Sequence, residues 1–206
     1  MANRVLNFAR RMARLPGVRW IVPQSLKDRY GSLLWASKIH KLVDRQFMEK
    51  TILPTLAAQK PHRVLFVGVE RYTQHYRDFF PRSCEYWTLD VRPAVVPFGA
   101  GRKHIVADFL LAPEHFTDGF FDIVVFNSLF GFGLDTPDAQ TQSMRVLARL
   151  VRGGGHVLIG WNRDGGADPL LLEPVLQLFE PVALGAVPAR QTFDSVTHVF
   201  DLLHRR

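Results

Sequence analysis

Gly68 and Asp90 are the two residues whose types and spacing point most directly to chemistry. The apolar run Val64-Leu65-Phe66-Val67 ends at Gly68. The polar stretch Glu70-Arg71-Tyr72-Thr73 then opens a helix, with Thr73 a candidate N-cap, and Tyr86-Trp87-Thr88-Leu89 leads into Asp90. Strand, tight turn, helix, strand and acid follow one another, with 22 residues from glycine to carboxylate. Nucleotide-binding α/β units place an acid about 20 residues past their glycine turn, where it bonds ribose hydroxyls. A carboxylate suits that duty because it offers acceptors and no donor. A strand-end Asp also serves as a plain turn former, and that role stays open beside the first.

The elements that must position this pair alternate from Arg63 onward. Strands are predicted over 63–67, 85–89, 104–107, 121–126 and 156–160. Phe121-Asp122-Ile123-Val124-Val125-Phe126 is almost continuously apolar, as expected of a parallel strand covered on both faces. Thr136 as N-cap with Pro137 behind it starts a helix through Met144, Leu147, Leu150 and Val151, which Gly153-Gly154-Gly155 stops. Asp168-Pro169 repeats that start for a helix reaching Phe179. Segments near 181–187 and 196–203 have no helix between them and are expected to form an antiparallel hairpin. The fold class is therefore α/β. It is a Rossmann-like doubly wound sheet, mostly parallel, with an antiparallel C-terminal hairpin and an N-terminal helical extension.

A chain of 206 residues fits one domain with an extension, divided here into residues 1–60 and 61–206. Its 47% apolar content suffices for a packed core. The net charge of +7 is unevenly placed: residues 1–50 carry 11 Lys/Arg against Asp28, Asp44 and Glu49, while the remainder carries 15 basic against 16 acidic residues. A near-neutral α/β body argues against a specific nucleic-acid partner, which would call for positive charge around the cleft. No apolar run approaches the roughly 20 residues that span a bilayer, and arginines interrupt the first 20 residues, so no cleaved signal is expected. The lone Cys84 excludes an internal disulfide and a cysteine-built zinc site, and fits a reducing cytoplasm. No metal is expected. Metal-ligand spacing, a Gly-Lys-Ser/Thr phosphate loop and a serine nucleophile elbow are all missing from the sequence.

This order of elements resembles the class I S-adenosylmethionine-dependent methyltransferases, whose sheet ends in an antiparallel seventh strand. A dinucleotide dehydrogenase would add a sixth parallel strand there. The resemblance covers about residues 60–206, and its motif is Phe66-Val67-Gly68-Val69-Glu70-Arg71-Tyr72. Of the family's glycines only Gly68 is kept. Glu70 and Tyr72 stand at the other two positions, and Phe66 stands where an acid is common. The resemblance implies S-adenosylmethionine as cofactor, with Gly68 admitting the backbone close to its amino-acid portion. Glu70 would pair with the cofactor ammonium, or act only as an acid at a helix N-terminus. Asp90 would accept from both ribose hydroxyls. Asp108 would receive the adenine amino group, or cap a helix, and Phe109 would pack on the ring. Asn127, counted with the cofactor positions, ends strand four, which in the family faces the transferred methyl group. Phe130 and Phe132 would wall that pocket or lie in the core beneath a turn.

Methyl transfer is an in-line displacement, and a base is needed only when the attacking atom must lose a proton. His75, in the cluster Tyr72, Thr73, His75 and Tyr76, has the intrinsic pKa for that role, or is a structural histidine near a helix start. The implied activity is methylation of a small-molecule, carbohydrate-like (glycan-like) or lipid-linked acceptor. The alternative is a catalytically degenerate methyltransferase-like binding protein, and NAD-dependent oxidation comes third. Val5, Phe8, Ala9 and Met12, with arginines between them, form an amphipathic basic helix. That helix is expected to cap the cleft; the other options are docking on the body, or a peripheral contact through residues 1–20 with an anionic membrane at its inner face.

Overall fold

In the computed structural model, residues 39–130 and 133–206 are described. The expected basic helix, the membrane contact through residues 1–20 and the Gly131-Phe132 pair lie outside them. Lys41–Arg206 forms one compact unit.

Strand β1 (Arg63–Val67) lies mid-sheet and sends Val64 and Phe66 into one core and Leu65 and Val67 into the other. Burial on both faces is what an uninterrupted apolar run requires. Its neighbours are β2 (Glu85–Asp90) and β4 (Phe121–Asn127), both parallel; β2 pairs in turn with β3 (His104–Val106). Beyond β4 come β5 (Val151–Asn162), then β8 (His198–Arg205), antiparallel to β5, then β6 (Phe179–Pro181); β7 (Arg190–Gln191) also pairs with β8. The order is β3-β2-β1-β4-β5-β8-β6, so one edge is the three-residue β3 and the other is formed by the three-residue β6 and the two-residue β7.

One face is covered by α1 (Val43–Phe47), a π-helical turn over 48–52 and α2 (Leu53–Ala58), which bury Met48, Ile52, Leu53 and Leu56. The other face is covered by α3 (Pro137–Leu150), α4 (Glu173–Leu178) and a short 3-10 helix over 109–114. At the amino edge, the Asp122 carboxylate accepts from the backbone N–H of His62 and Arg63 and from Arg152 Nε at 2.7 Å. Three strands are tied there through one side chain.

Thr136 caps α3 through Ala139 N at 3.2 Å, as its sequence predicts. Four elements differ from expectation. β5 begins at Val151, directly after α3, and contains the Gly153-Gly154-Gly155 run expected to stop that helix. The segment after β1 is a 3-10 helix, Arg71–Phe79, that begins after Glu70, and Thr73 sits inside it with Oγ1 bonded to both Glu70 N and Glu70 O. The helix expected over 168–179 is split, because Pro174 has no amide hydrogen for the Leu170 carbonyl and its ring would clash there; Leu172 is extended, leaving a turn over 169–171 and the short α4. The expected strand over 181–187 contracts to β6 plus an isolated Leu184–Val187 bridge, since Pro181 and the left-handed Gly185 (φ +55°) interrupt pairing.

Candidate functional site

The carboxyl ends of β1, β2, β4 and β5 define the edge on which the predicted residues fall. Gly68 has φ +89°, and a Cβ there would lie 2.3 Å from the Asn127 carbonyl oxygen. Conformation and space both demand glycine at this turn. Immediately after it, Val69 N donates to Asp90 Oδ2 at 2.8 Å, which joins the glycine turn to the end of β2.

Arg92 completes this corner. Its backbone N–H and Nε donate to Asp90 Oδ1 at 2.9 and 3.0 Å, and Nη2 donates to Asp90 Oδ2 at 3.0 Å. The same guanidinium bonds Val69 O at 2.7 Å and Glu70 Oε1 at 2.8 Å. Burial pushes the Asp90 carboxyl up, but hydrogen bonds from the Arg92 side chain and backbone and from Val69 outweigh it and hold the group below its ordinary value. Gly68, Glu70 and Asp90 are thus brought together, with an arginine at their centre.

The other expected positions separate. Asp108 is exposed and caps the 3-10 helix over 109–114, accepting from Leu110 N at 2.9 Å. Phe109 is buried, with its ring 4.7 Å from that of Phe126, and Phe130 is buried against the same ring at 5.4 Å. His75 lies with Nε2 3.5 Å from a Glu49 carboxylate oxygen and packs edge-on against Tyr76.

Asn127 belongs to a second group at the same edge. It is 1% exposed, and neither its Oδ1 nor its Nδ2 has a hydrogen-bond partner. Register puts Gly160 of β5 beside it, and a Cβ at Gly160 would lie 2.1 Å from Asn127 Oδ1 and 3.0 Å from His198 Nε2. The missing side chain therefore lets an amide and an imidazole meet over one strand. His198 Nδ1 lies 3.0 Å from Asn162 Oδ1; with that oxygen accepting, Nδ1 carries the proton and Nε2, itself unpartnered, carries the lone pair on the Gly160 side of the ring. Burial, then the nearby Arg45 charge, pushes the His198 pKa down to about 3, so the ring is neutral. Ser128, next in the chain, holds a left-handed backbone (φ +59°), a strained conformation for a side-chain-bearing residue. Arg45 lies with its guanidinium 5.2 Å from the Tyr72 ring centre.

Sequence reasoning missed Arg92, Gly160 and His198 as site residues. A glycine within an apolar strand is a signal of close approach, and Gly160 carried it. The side-chain direction of Arg92, past the end of β2, carried no comparable signal.

A sheet ordered β3-β2-β1-β4-β5-β8-β6, with an antiparallel strand inserted beside β5, is the class I methyltransferase fold. Solved structures that share it include the N-methyltransferase NodS from Bradyrhizobium japonicum WM9, at TM-score 0.59 and 16% identity over 80% of this chain and 99% of that one. A TehB-like methyltransferase from Corynebacterium glutamicum matches at TM-score 0.58 and 15% identity, covering 86% of this chain and 100% of that one. The 1,6-didemethyltoxoflavin-N1-methyltransferase of Burkholderia thailandensis, solved with its substrate and S-adenosylhomocysteine, matches at TM-score 0.52 and 16% identity, covering 89% and 92% of the two chains. No protein-family model matches the sequence. No curated protein matches it either.

Proposed function

We propose that the chain is an S-adenosylmethionine-dependent methyltransferase acting on a small-molecule acceptor, with carbohydrate-like and lipid-linked molecules within that class. The carrying observation is the Gly68–Asp90 corner: a turn that only glycine fits, hydrogen-bonded through Val69 to a carboxylate at the end of β2. In the family this chain resembles, that carboxylate holds the ribose. The residues present fit the cofactor. Gly68 keeps the turn open, Asp90 offers acceptors once the Arg92 side chain withdraws, Glu70 offers a carboxylate for an ammonium, and Asn127 has free amide atoms at the end of β4. The cofactor would supply an electrophilic methyl group on a sulfonium.

Asn127 and His198 give the acceptor side its chemistry. Asn127 offers two N–H donors at Nδ2 and an acceptor at Oδ1, while neutral His198 offers an acceptor at Nε2. Together they suit an N–H or O–H group, which they would hold with its lone pair turned outward. Such positioning supplies most of what an in-line displacement needs. His75, paired with Glu49, stands as the competing candidate for proton removal. A solved neighbour bound to 1,6-didemethyltoxoflavin, and the near-neutral charge of residues 51–206, support the acceptor class.

A catalytically silent binding protein is the second possibility, favoured by the engagement of Asp90 with Arg92. Calorimetric titration with S-adenosylmethionine, S-adenosylhomocysteine and NAD separates the choices. Binding of the first two, lost in Asp90→Ala, supports the assignment, and binding of NAD alone sinks it. Transfer of labelled methyl to a small-molecule extract then distinguishes an enzyme from a silent binder.

A further inference from the structure

We propose that Arg92 sets the affinity of the cofactor site, because its side chain occupies the two acceptor positions of Asp90 that ribose hydroxyls require. This rests on the methyltransferase assignment above. A carboxylate offers about four lone-pair positions, and Asp90 receives four donors: Val69 N, Arg92 N, Arg92 Nε and Arg92 Nη2. Two of them are backbone groups fixed by the turn and the strand end. The other two belong to one movable guanidinium. A diol can therefore bond Asp90 only where that guanidinium lets go, and it needs the same number of positions.

The structure shows why Arg92 can leave and what holds it. Its side chain is 49% exposed and that of Glu70 is 40% exposed, so a swing outward disturbs no packed core. Glu70 Oε1 grips Nη1, and Val69 O grips Nη2. Released from Asp90, the arginine can keep its bond to Glu70. The same contacts stitch together a turn that keeps one glycine of the family's set. Arg92 is thus a competitor inside the molecule: the nucleoside must displace a charge-assisted pair before it gains its own bonds. Because half of the pair is exposed, the penalty is modest and screened by salt.

The test is calorimetry with S-adenosylhomocysteine on the full chain and on Arg92→Ala, Arg92→Lys and Asp90→Asn, with thermal melts confirming that each variant is folded. Arg92→Ala is expected to bind on the order of tenfold tighter than the parent. Arg92→Lys, which cannot bridge Asp90, Glu70 and Val69 O together, should fall between them and serves if the alanine variant fails to fold. Raising the salt concentration should narrow the difference in affinity between the parent and Arg92→Ala. Asp90→Asn should weaken binding strongly. Equal or weaker binding by both Arg92 variants overturns the competition and leaves the methyltransferase assignment standing. Binding indifferent to Asp90→Asn overturns it as well, since the ribose is then elsewhere. No binding by any form overturns both.

Discussion

Acidification to pH 5 should expose the isolation of His198. The ring is 4% exposed, lies 4.7 Å from the Phe200 ring and is pushed down to a pKa of about 3, first by burial and then by the Arg45 charge. In the unfolded chain the same group titrates near 6.5. A folded value below the unfolded one means that the unfolded chain takes up the proton first, so stability falls as pH drops below about 6.5 and keeps falling until about 3. Each pH unit in that window costs about 1.4 kcal/mol, which makes the loss about 2 kcal/mol at pH 5 relative to neutral pH. His104 and His156, also lowered by burial, act with the same sign, while Asp201, raised by burial, acts with the opposite one. Comparing the parent with His198→Gln cancels these shared contributions. Urea unfolding at neutral pH and at pH 5 should show the parent losing about 2 kcal/mol more than the variant. Parallel losses would refute the reasoning, because they would mean that the folded protein protonates His198 freely.

Gly68→Ala should cost at least about 1–2 kcal/mol from the left-handed backbone alone, and more from the carbonyl of Asn127, with nucleoside binding lost; urea melts and calorimetry measure both. Arg190→Met strands Asp201, which is fully buried and accepts from Arg190 Nε and Trp161 Nε1, so a loss of about 3–5 kcal/mol is expected in the same melts. Adding Asp201→Asn to that variant should recover part of the loss. Gly160→Ala drives a methyl against Asn127 Oδ1, so methyl transfer should fall; unchanged transfer counts against the roles given to Asn127. If residues 1–20 touch an anionic membrane, removing them should lower liposome co-sedimentation, and equal sedimentation of both chains defeats that contact.

The parallel half of the sheet was legible because its signal is local. Val64–Val67 is apolar without interruption and Phe121–Phe126 is broken only by Asp122, and the observed β1 and β4 cover them. β5 was foreseen only from residue 156, yet pairing begins at Val151, because a register shift between Phe121 and Ile123 absorbs the glycine run. Nothing local encodes that shift. The corner at Asp90 was legible as a spacing, whereas the turn of Arg92 back onto it depends on the chain direction after β2. The encounter of Asn127, Gly160 and His198 was the least accessible. Those residues lie on three strands, and only the pairing of β4 with β5 and of β5 with β8 brings them together.

The outermost strands carry a consequence for self-association. β3 and β6 each offer a ladder of only three residues, and β6 ends in Pro181, which has no amide hydrogen to donate. A second polypeptide seeking to extend the sheet would find too few rungs at either margin, a standard natural defence against fibril-like stacking.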